Sequence, residues 1–257
     1  MTKCYTLQLG KNGEAGERAL EIDCFLSVLA DIKRKHINMF ELGAGWGEWC
    51  LALAGVIDYK LVPITPASYA CLAVEGEPTH CQWAREHFEA QNINATVVQG
   101  AISDKNGKCW FDISPKPDSW YGQSITFNTK FHRFPILKTL WGLSELVRKR
   151  TARIPMYTID YLMEAYKFDH IDLIDMDVQG AEYKVMLGAT ESIRNGLIDY
   201  LLVGTHSRDL NEALRQLLTP KFDSIIDIYP NSVGVVDGFA PVKCQDGIQL
   251  WKRKNMS

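Results

Sequence analysis

The chain has 257 residues, of which 46% are hydrophobic and 23% charged, and its formal net charge is −3. That length holds one large α/β domain, or one domain with an insertion, and is ample to bury a core. The balance is that of a soluble globular protein with no sign of a nucleic-acid partner, and no apolar run approaches membrane-spanning length.

Residues 1–16 carry Gly10, Gly13 and Gly16 and no apolar run after their charges, so they read as a loosely packed lead-in without a secretory signal. Glu17 to Lys35 is a helix pattern, with Leu20, Cys24, Val28 and Ile32 four apart. Ile37–Leu42 is the first strand. It runs into Glu41-Leu-Gly-Ala-Gly-Trp-Gly47, and a short helix follows over Glu48–Ala54. Residues 55–68, with Gly55, Pro63 and Pro66, are a connection. The apolar run Tyr69–Val74, ending at Glu75, predicts a parallel strand covered on both faces. Pro78 opens the next helix, which runs to Gln91 and stops at Asn92.

Ala95–Gln99 is the third strand, followed by Gly100-Ala-Ile-Ser-Asp104. Asn106-Gly107 predicts a tight hairpin turn, with Cys109–Ile113 as the return strand. Residues 114–153 break the rhythm. They hold the aromatics Trp120, Tyr121, Phe127, Phe131 and Phe134, and basic residues outnumber the acids Asp118 and Glu145. This segment reads as an insertion that forms a substrate lid, with a basic face suited to an anionic or lipid-linked acceptor. Alternation then resumes: helix Thr158–Tyr166, strand Ile171–Met176, helix Gly180–Arg194 and strand Asp199–Val203. Asp209 and Glu212 have capping-box spacing for the next helix, and Phe222–Tyr229 and Ile248–Lys252 form a terminal hairpin. The whole predicts an α/β fold, a mostly parallel sheet with helices on both faces.

The seven cysteines are odd in number and include no C-x-x-C pair. They read as reduced, buried thiols of a cytoplasmic protein, and no metal is expected of them.

In such a sheet the ligand sits off the C-terminal strand ends. There lie Glu41–Gly47, Glu75 with Gly76, Gly100–Ile102, Asp175–Gln179 and Thr205–His206. Gly43, Gly45 and Gly47, with Ala44 between the first two, form a glycine loop before a helix. Their spacing is G-x-G-x-G rather than the dinucleotide G-x-G-x-x-G, and no phosphate-binding P-loop is present. A carboxylate at position 41 would repel a pyrophosphate but attract a sulfonium and an amino group. Glu75 is placed to accept from the two hydroxyls of a ribose. These features fit S-adenosyl-methionine, with Glu41, Gly43, Ala44, Gly45, Gly47, Glu75, Gly76, Ala101, Ile102 and Asp175 around it.

Read in order, the Glu41–Gly47 loop, Val74-Glu-Gly-Glu-Pro78, Gly100–Asp104, Thr158-Ile-Asp160, Ile174-Asp-Met-Asp-Val-Gln-Gly-Ala-Glu182 and Gly204-Thr-His-Ser207 resemble the motifs of FkbM-type methyltransferases over about residues 38–218. The resemblance implies a class I methyltransferase fold, a Rossmann-like seven-stranded sheet whose last strands form an antiparallel hairpin. It also implies O-methylation of sugar or natural-product hydroxyls. The commoner family pattern has Glu where this chain has Gln179.

Methyl transfer to a hydroxyl needs an aligned acceptor and a group to take its proton. His206, at the fifth strand end, is the expected general base. Asp177 is expected to orient it, and Glu182 to tie down the loop or the histidine. Structural roles exist for both acids: Asp177 as a helix cap, and Glu182 in a first helical turn. Two further readings are a divalent cation held by Asp175, Asp177 and His206, and a non-catalytic nucleotide-binding module. His80 and His87 are expected on a solvated helix edge.

Overall fold

The computed structural model describes residues 16–61, 63–113, 116–117, 122–125, 151–236 and 241–254. The elements on the first side of the site are α1 (Glu17–Asp31), β1 (His36–Leu42), α2 (Glu48–Asp58), β2 (Ser68–Glu75), α3 (Pro78–Gln91) and β3 (Ala95–Gln99). Short strands β4 (Ala101–Ile102), β5 (Gly107–Asp112) and β6 (Thr151–Tyr157) follow. Then come α4 (Ile159–Tyr166), β7 (Ile171–Met176), α5 (Glu182–Leu187), α6 (Thr190–Arg194), β8 (Ile198–Thr205) and α7 (Arg208–Leu218). The chain closes with β9 (Phe222–Ile228), β10 (Ser232–Gly234), β11 (Val242–Cys244) and β12 (Gly247–Arg253).

The main sheet has seven strands in the order β3-β2-β1-β7-β8-β12-β9. All run parallel except β12, which pairs antiparallel with both β8 and β9. This is the class I methyltransferase arrangement that the motifs implied, terminal hairpin included. The successive side chains of β1 divide between two cores, as a strand's twofold alternation requires. Ile37 and Met39 join Leu20, Phe25, Leu53 and Phe88 from α1, α2 and α3. Phe40 and Leu42 join Ile159, Val185 and Leu214 from α4, α5 and α7. The strand order reverses between β1 and β7, and the crevice outside their C-terminal ends is where such sheets take ligands.

The structure revises four local expectations. Cys109–Ile113 does not return onto Ala95–Ile102. Instead β6 lies between β4 and β5, parallel to the first and antiparallel to the second. The Asn-Gly turn signal is local, whereas the strand that fills the slot comes from the far side of the insertion. The Gly180–Arg194 helix starts at Glu182, because Gln179 and Gly180 have φ of 54° and 94°. It also breaks near Gly188, where a Cβ would come within 2.2 Å of the Ser103 carbonyl. Helix α7 is capped by Ser207, whose hydroxyl accepts from the Leu210 amide at 3.2 Å, so the Asp209–Glu212 box does not form. Helix α2 runs four residues beyond Ala54.

Asn92 stops α3 with φ 54°, and Thr158 caps α4 by accepting from the Tyr161 amide, both as expected. Asp160, from the Thr158-Ile-Asp160 motif, takes the amides of Glu191 and Ser192 and so caps α6. Its place in the motif is architectural. Cys24, Cys50, Cys71, Cys81 and Cys244 are buried free thiols, and Cys109 is half-buried. Among the described residues no helix is long and apolar enough to cross a membrane.

Candidate active site

Strand β1 ends in a loop that only glycine permits at two points. Gly43 has φ 81°, and a Cβ there would lie 1.9 Å from the Asp177 carbonyl oxygen. Gly47 has φ 84°, and a Cβ there would lie 2.4 Å from the ring of Phe88. The loop therefore folds tightly between the end of β7 and helix α3. Above it lies a cavity of about 400 Å³. That is within the usual range for a small-molecule site, about 300–1,000 Å³.

The cavity follows the sheet order across four strand ends, from Asp175 on β7 and Glu41 on β1, past Glu75 on β2, to Ala101 and Ile102 beyond β3. At about 4.8 Å per strand that is a span of about 15 Å. Of the expected cofactor residues, Glu41, Gly43, Ala44, Gly45, Glu75, Gly76, Ala101, Ile102 and Asp175 line it, whereas Gly47 does not and faces the Phe88 ring.

Glu41 does more for the protein than was expected. Its two oxygens accept from the amides of Trp49 at 3.0 Å and Cys50 at 2.9 Å. Gly47, which precedes α2, has no side chain, so this carboxyl on β1 caps the helix from a distance. Burial raises the Glu41 pKa to about 7, against the helix amides that lower it. Facing a sulfonium is thus not its only task. Asp175 is its neighbour across the β1–β7 register and is 7% exposed. Burial first, and then the Glu41 charge, hold Asp175 well above the usual carboxylate range. Among the described residues it has no hydrogen-bond partner, and it faces the cavity. Glu75 accepts from the Gly45 amide at 2.8 Å and the Glu77 amide at 2.7 Å, which fixes its carboxylate beside the loop. Burial raises its pKa too.

Several lining residues escaped the sequence reading. Arg18, on α1, stacks 4.3 Å above the Trp49 ring and pairs with Glu48 and Glu21 at the acidic end. Trp46, which the sequence places inside the glycine loop, lines the cavity as well, edge-on to His87 with ring centroids 5.5 Å apart. His80 is not on a solvated edge. It is 1% exposed and lies beside the cavity, with Nε2 2.8 Å from the Pro117 carbonyl. Phe111, Gln123 and Ile125 close the end near Ala101. Nothing in the local sequence marks Phe111, Gln123 and Ile125, because the strand pairing that brings them in is long-range. Of the aromatics assigned to a lid, Trp120, Tyr121, Phe127, Phe131 and Phe134 lie outside the described residues, as do the basic residues from Lys130 to Arg150.

Asp177, Glu182 and His206 do come together. The His206 imidazole sits between the two acids, with Nδ1 3.0 Å from Glu182 and Nε2 3.2 Å from Asp177. Glu182 is wholly buried and also accepts from the Gly180 amide, so it holds both the loop and the ring. Asp177 is 57% exposed and lines the cavity, where the Gln179 amide donates to it at 3.0 Å. His206 stands behind it. Burial works against charge on His206, but the two carboxylates outweigh it and push the pKa up to about 10. The ring therefore carries its proton at neutral pH, and both nitrogens face acids. The expected general base thus stands between the two acids that were expected to orient it. The expected metal trio also changes. Candidate ligand atoms of Asp177, Glu182 and His206 lie within 4.8 Å of one another, and Asp175 is not in that group. With the acids on different ring nitrogens, the arrangement suits a bridging imidazolium better than a shared cation.

The charge on His206 has a measurable consequence. Its proton is held more tightly in the folded chain, about 10 against an ordinary 6.5. The resulting stability is complete below pH 6.5 and is lost as pH rises towards 10. In chemical denaturation the unfolding free energy of the native protein should fall by a few kcal/mol more across that window than that of His206→Gln. Parallel curves for the two proteins would contradict the ion-bridged histidine. Glu41 adds a fall of the same sign at lower pH, between 4.5 and about 7.

Residues 64–227 match the model of the methyltransferase FkbM domain. The chain belongs to the FkbM methyltransferase family. A relative from Jannaschia sp. (strain CCS1), whose name assigns it by inference as a methyltransferase, is 26% identical over 184 residues. The match covers 70% of this FkbM chain and 60% of that protein, so the chain spans less than two thirds of its relative's length. Among solved structures, precorrin-6y C5,15-methyltransferase from Geobacter metallireducens GS-15 aligns over 95% of this chain and 93% of its own, with TM-score 0.46 and 8% identity. Precorrin 8w decarboxylase from Methanobacterium thermoautotrophicum aligns over 91% and 89%, with TM-score 0.45 and 12% identity. At such values the likeness says nothing about the substrate of the FkbM chain.

Proposed function

We propose that this FkbM-family chain transfers a methyl group from S-adenosyl-methionine to a hydroxyl of a sugar, glycan or related metabolite. The observation that carries the cofactor assignment is Asp175, a buried carboxyl without a hydrogen-bond partner among the described residues at the acidic end of the cavity, with Glu75 held further along the same cavity. Acid at one end, a fixed carboxylate in the middle and an apolar compartment beyond suit a cationic amino-acid end, a ribose and a purine. The residues present fit the group. Bound there, it supplies an electrophilic methyl on sulfur.

The chain's own residues then have separate tasks. Asp175 offsets the positive charge of the amino-acid end, and Glu75 takes the ribose hydroxyls. Asp177 is the member of the histidine cluster that lines the cavity, so it receives the acceptor hydroxyl and its proton. His206, itself held by Glu182, contacts Asp177 and positions it. Gln179 donates to the same carboxylate. A Glu at that position would place a second negative charge there.

Labelled S-adenosyl-methionine with a panel of sugars and glycans, read by mass spectrometry, tests this. Gain of one methyl on a hydroxyl oxygen supports it. Methylation of carbon or nitrogen alone would reject the hydroxyl acceptor. Cofactor binding with no transfer to any acceptor would favour a non-catalytic binding module.

A further inference from the structure

The segment between β5 and β6 reads from sequence as a cover for the acceptor, but its described part lies elsewhere. The Asp112 amide donates to the Ser124 carbonyl at 3.0 Å, and Phe111 and Ile125 form an antiparallel bridge. In extended backbone alternate side chains share a face. Gln123 and Ile125 accordingly both turn inward, 7% and 8% exposed, while Ser124 between them is half-buried.

That face closes the cavity at the Ala101–Ile102 end, with Phe111 beside it. The Phe111 ring packs so closely on Gly76 that a Cβ there would lie 2.4 Å from it. Gly76 directly follows Glu75, so this compartment adjoins the carboxylate assigned to the ribose. Ala101, Ile102, Phe111 and Ile125 make it an apolar slot, and Gln123 is the polar residue that lines it with them. A flat purine with apolar faces and a polar edge matches such a slot. Adenine presents an N6 donor beside ring-nitrogen acceptors. A glutamine amide answers with one acceptor and two donors, the pairing used when Gln reads adenine in nucleic acids.

We propose that Gln123, carried by the inserted segment, reads the amino edge of the cofactor's adenine, so that this part of the insertion clamps the nucleoside rather than the acceptor. The proposal rests on the assignment of S-adenosyl-methionine to the cavity. It makes Gln123 a specificity-determining residue for the donor.

The test is calorimetry with S-adenosyl-homocysteine and with its analogue bearing unsubstituted purine in place of adenine. The native protein should bind the adenine compound about tenfold more tightly, the scale of one buried hydrogen bond. Gln123→Ala should bind the two compounds alike. Gln123→Leu, which keeps the volume, should do the same and guards against a folding defect in the alanine variant. A variant that folds and keeps the full preference overturns the proposal, as does a native protein with no preference. Native protein that fails to bind S-adenosyl-homocysteine at all overturns the cofactor assignment and the proposal together, so the two failures are told apart.

Discussion

Asp177→Asn should lower methyl transfer by about 10²–10⁴ and leave affinity for S-adenosyl-homocysteine within about threefold. The substitution keeps the shape but removes the carboxylate at the cavity wall. The acceptor proton then loses its receiver. His206 loses one of the two charges that raise its pKa, so the ring should titrate at lower pH in the variant. Steady-state rates with a hydroxyl acceptor and an NMR titration of the His206 ring read the two effects. A rate change below about threefold would remove Asp177 from the chemistry. An unchanged ring titration would show that Asp177 and His206 are not coupled as their 3.2 Å separation requires. Cofactor affinity separates this from general damage, because Asp175 and Glu75 are untouched.

Glu182→Ala should cost about 3–5 kcal/mol of stability, as expected when one partner of a buried ion pair is removed. The side chain is fully buried and holds two groups at once, the Gly180 amide at 3.0 Å and His206 Nδ1 at 3.0 Å. Without it the imidazolium faces a cavity on one side, and the left-handed pair Gln179–Gly180 loses its anchor. The melting temperature should fall by roughly 10 °C, given about 2–4 °C per kcal/mol for a chain of this size. Glu182→Gln keeps an acceptor for the amide and should lose less. A loss below about 1 kcal/mol for the alanine variant would mean that the acid is not paired as described.

The fold was legible where the signal was local or periodic. Phe40 and Leu42, the run Tyr69–Val74, Pro78 and Asn92 mark the first half of the sheet without any knowledge of what packs on it. The site was legible to the extent that strand ends could be ranked. Asp177, Glu182 and His206 were named from the sequence, and two segments, at 177–182 and 206, do converge. The roles within that group were not legible. A histidine's proton depends on what stands at each ring nitrogen, and sequence spacing does not give the 3.0 Å and 3.2 Å contacts that decide it. Glu41 is the same case in miniature. Its acid was visible, but its bond to α2 required the loop to fold back over eight residues. β6 and the inward face of Gln123 were invisible for a further reason. Each is placed by pairing with β5, and no local pattern encodes a partner that distant.

The cavity over Gly43–Gly47 should take a sulfonium nucleoside rather than a dinucleotide. Isothermal titration of the purified chain with S-adenosyl-homocysteine, and separately with NAD, tests it most directly. Saturable binding of S-adenosyl-homocysteine at one site per chain is expected, with markedly weaker binding of NAD. Tighter binding of NAD, or no heat with S-adenosyl-homocysteine, would contradict it.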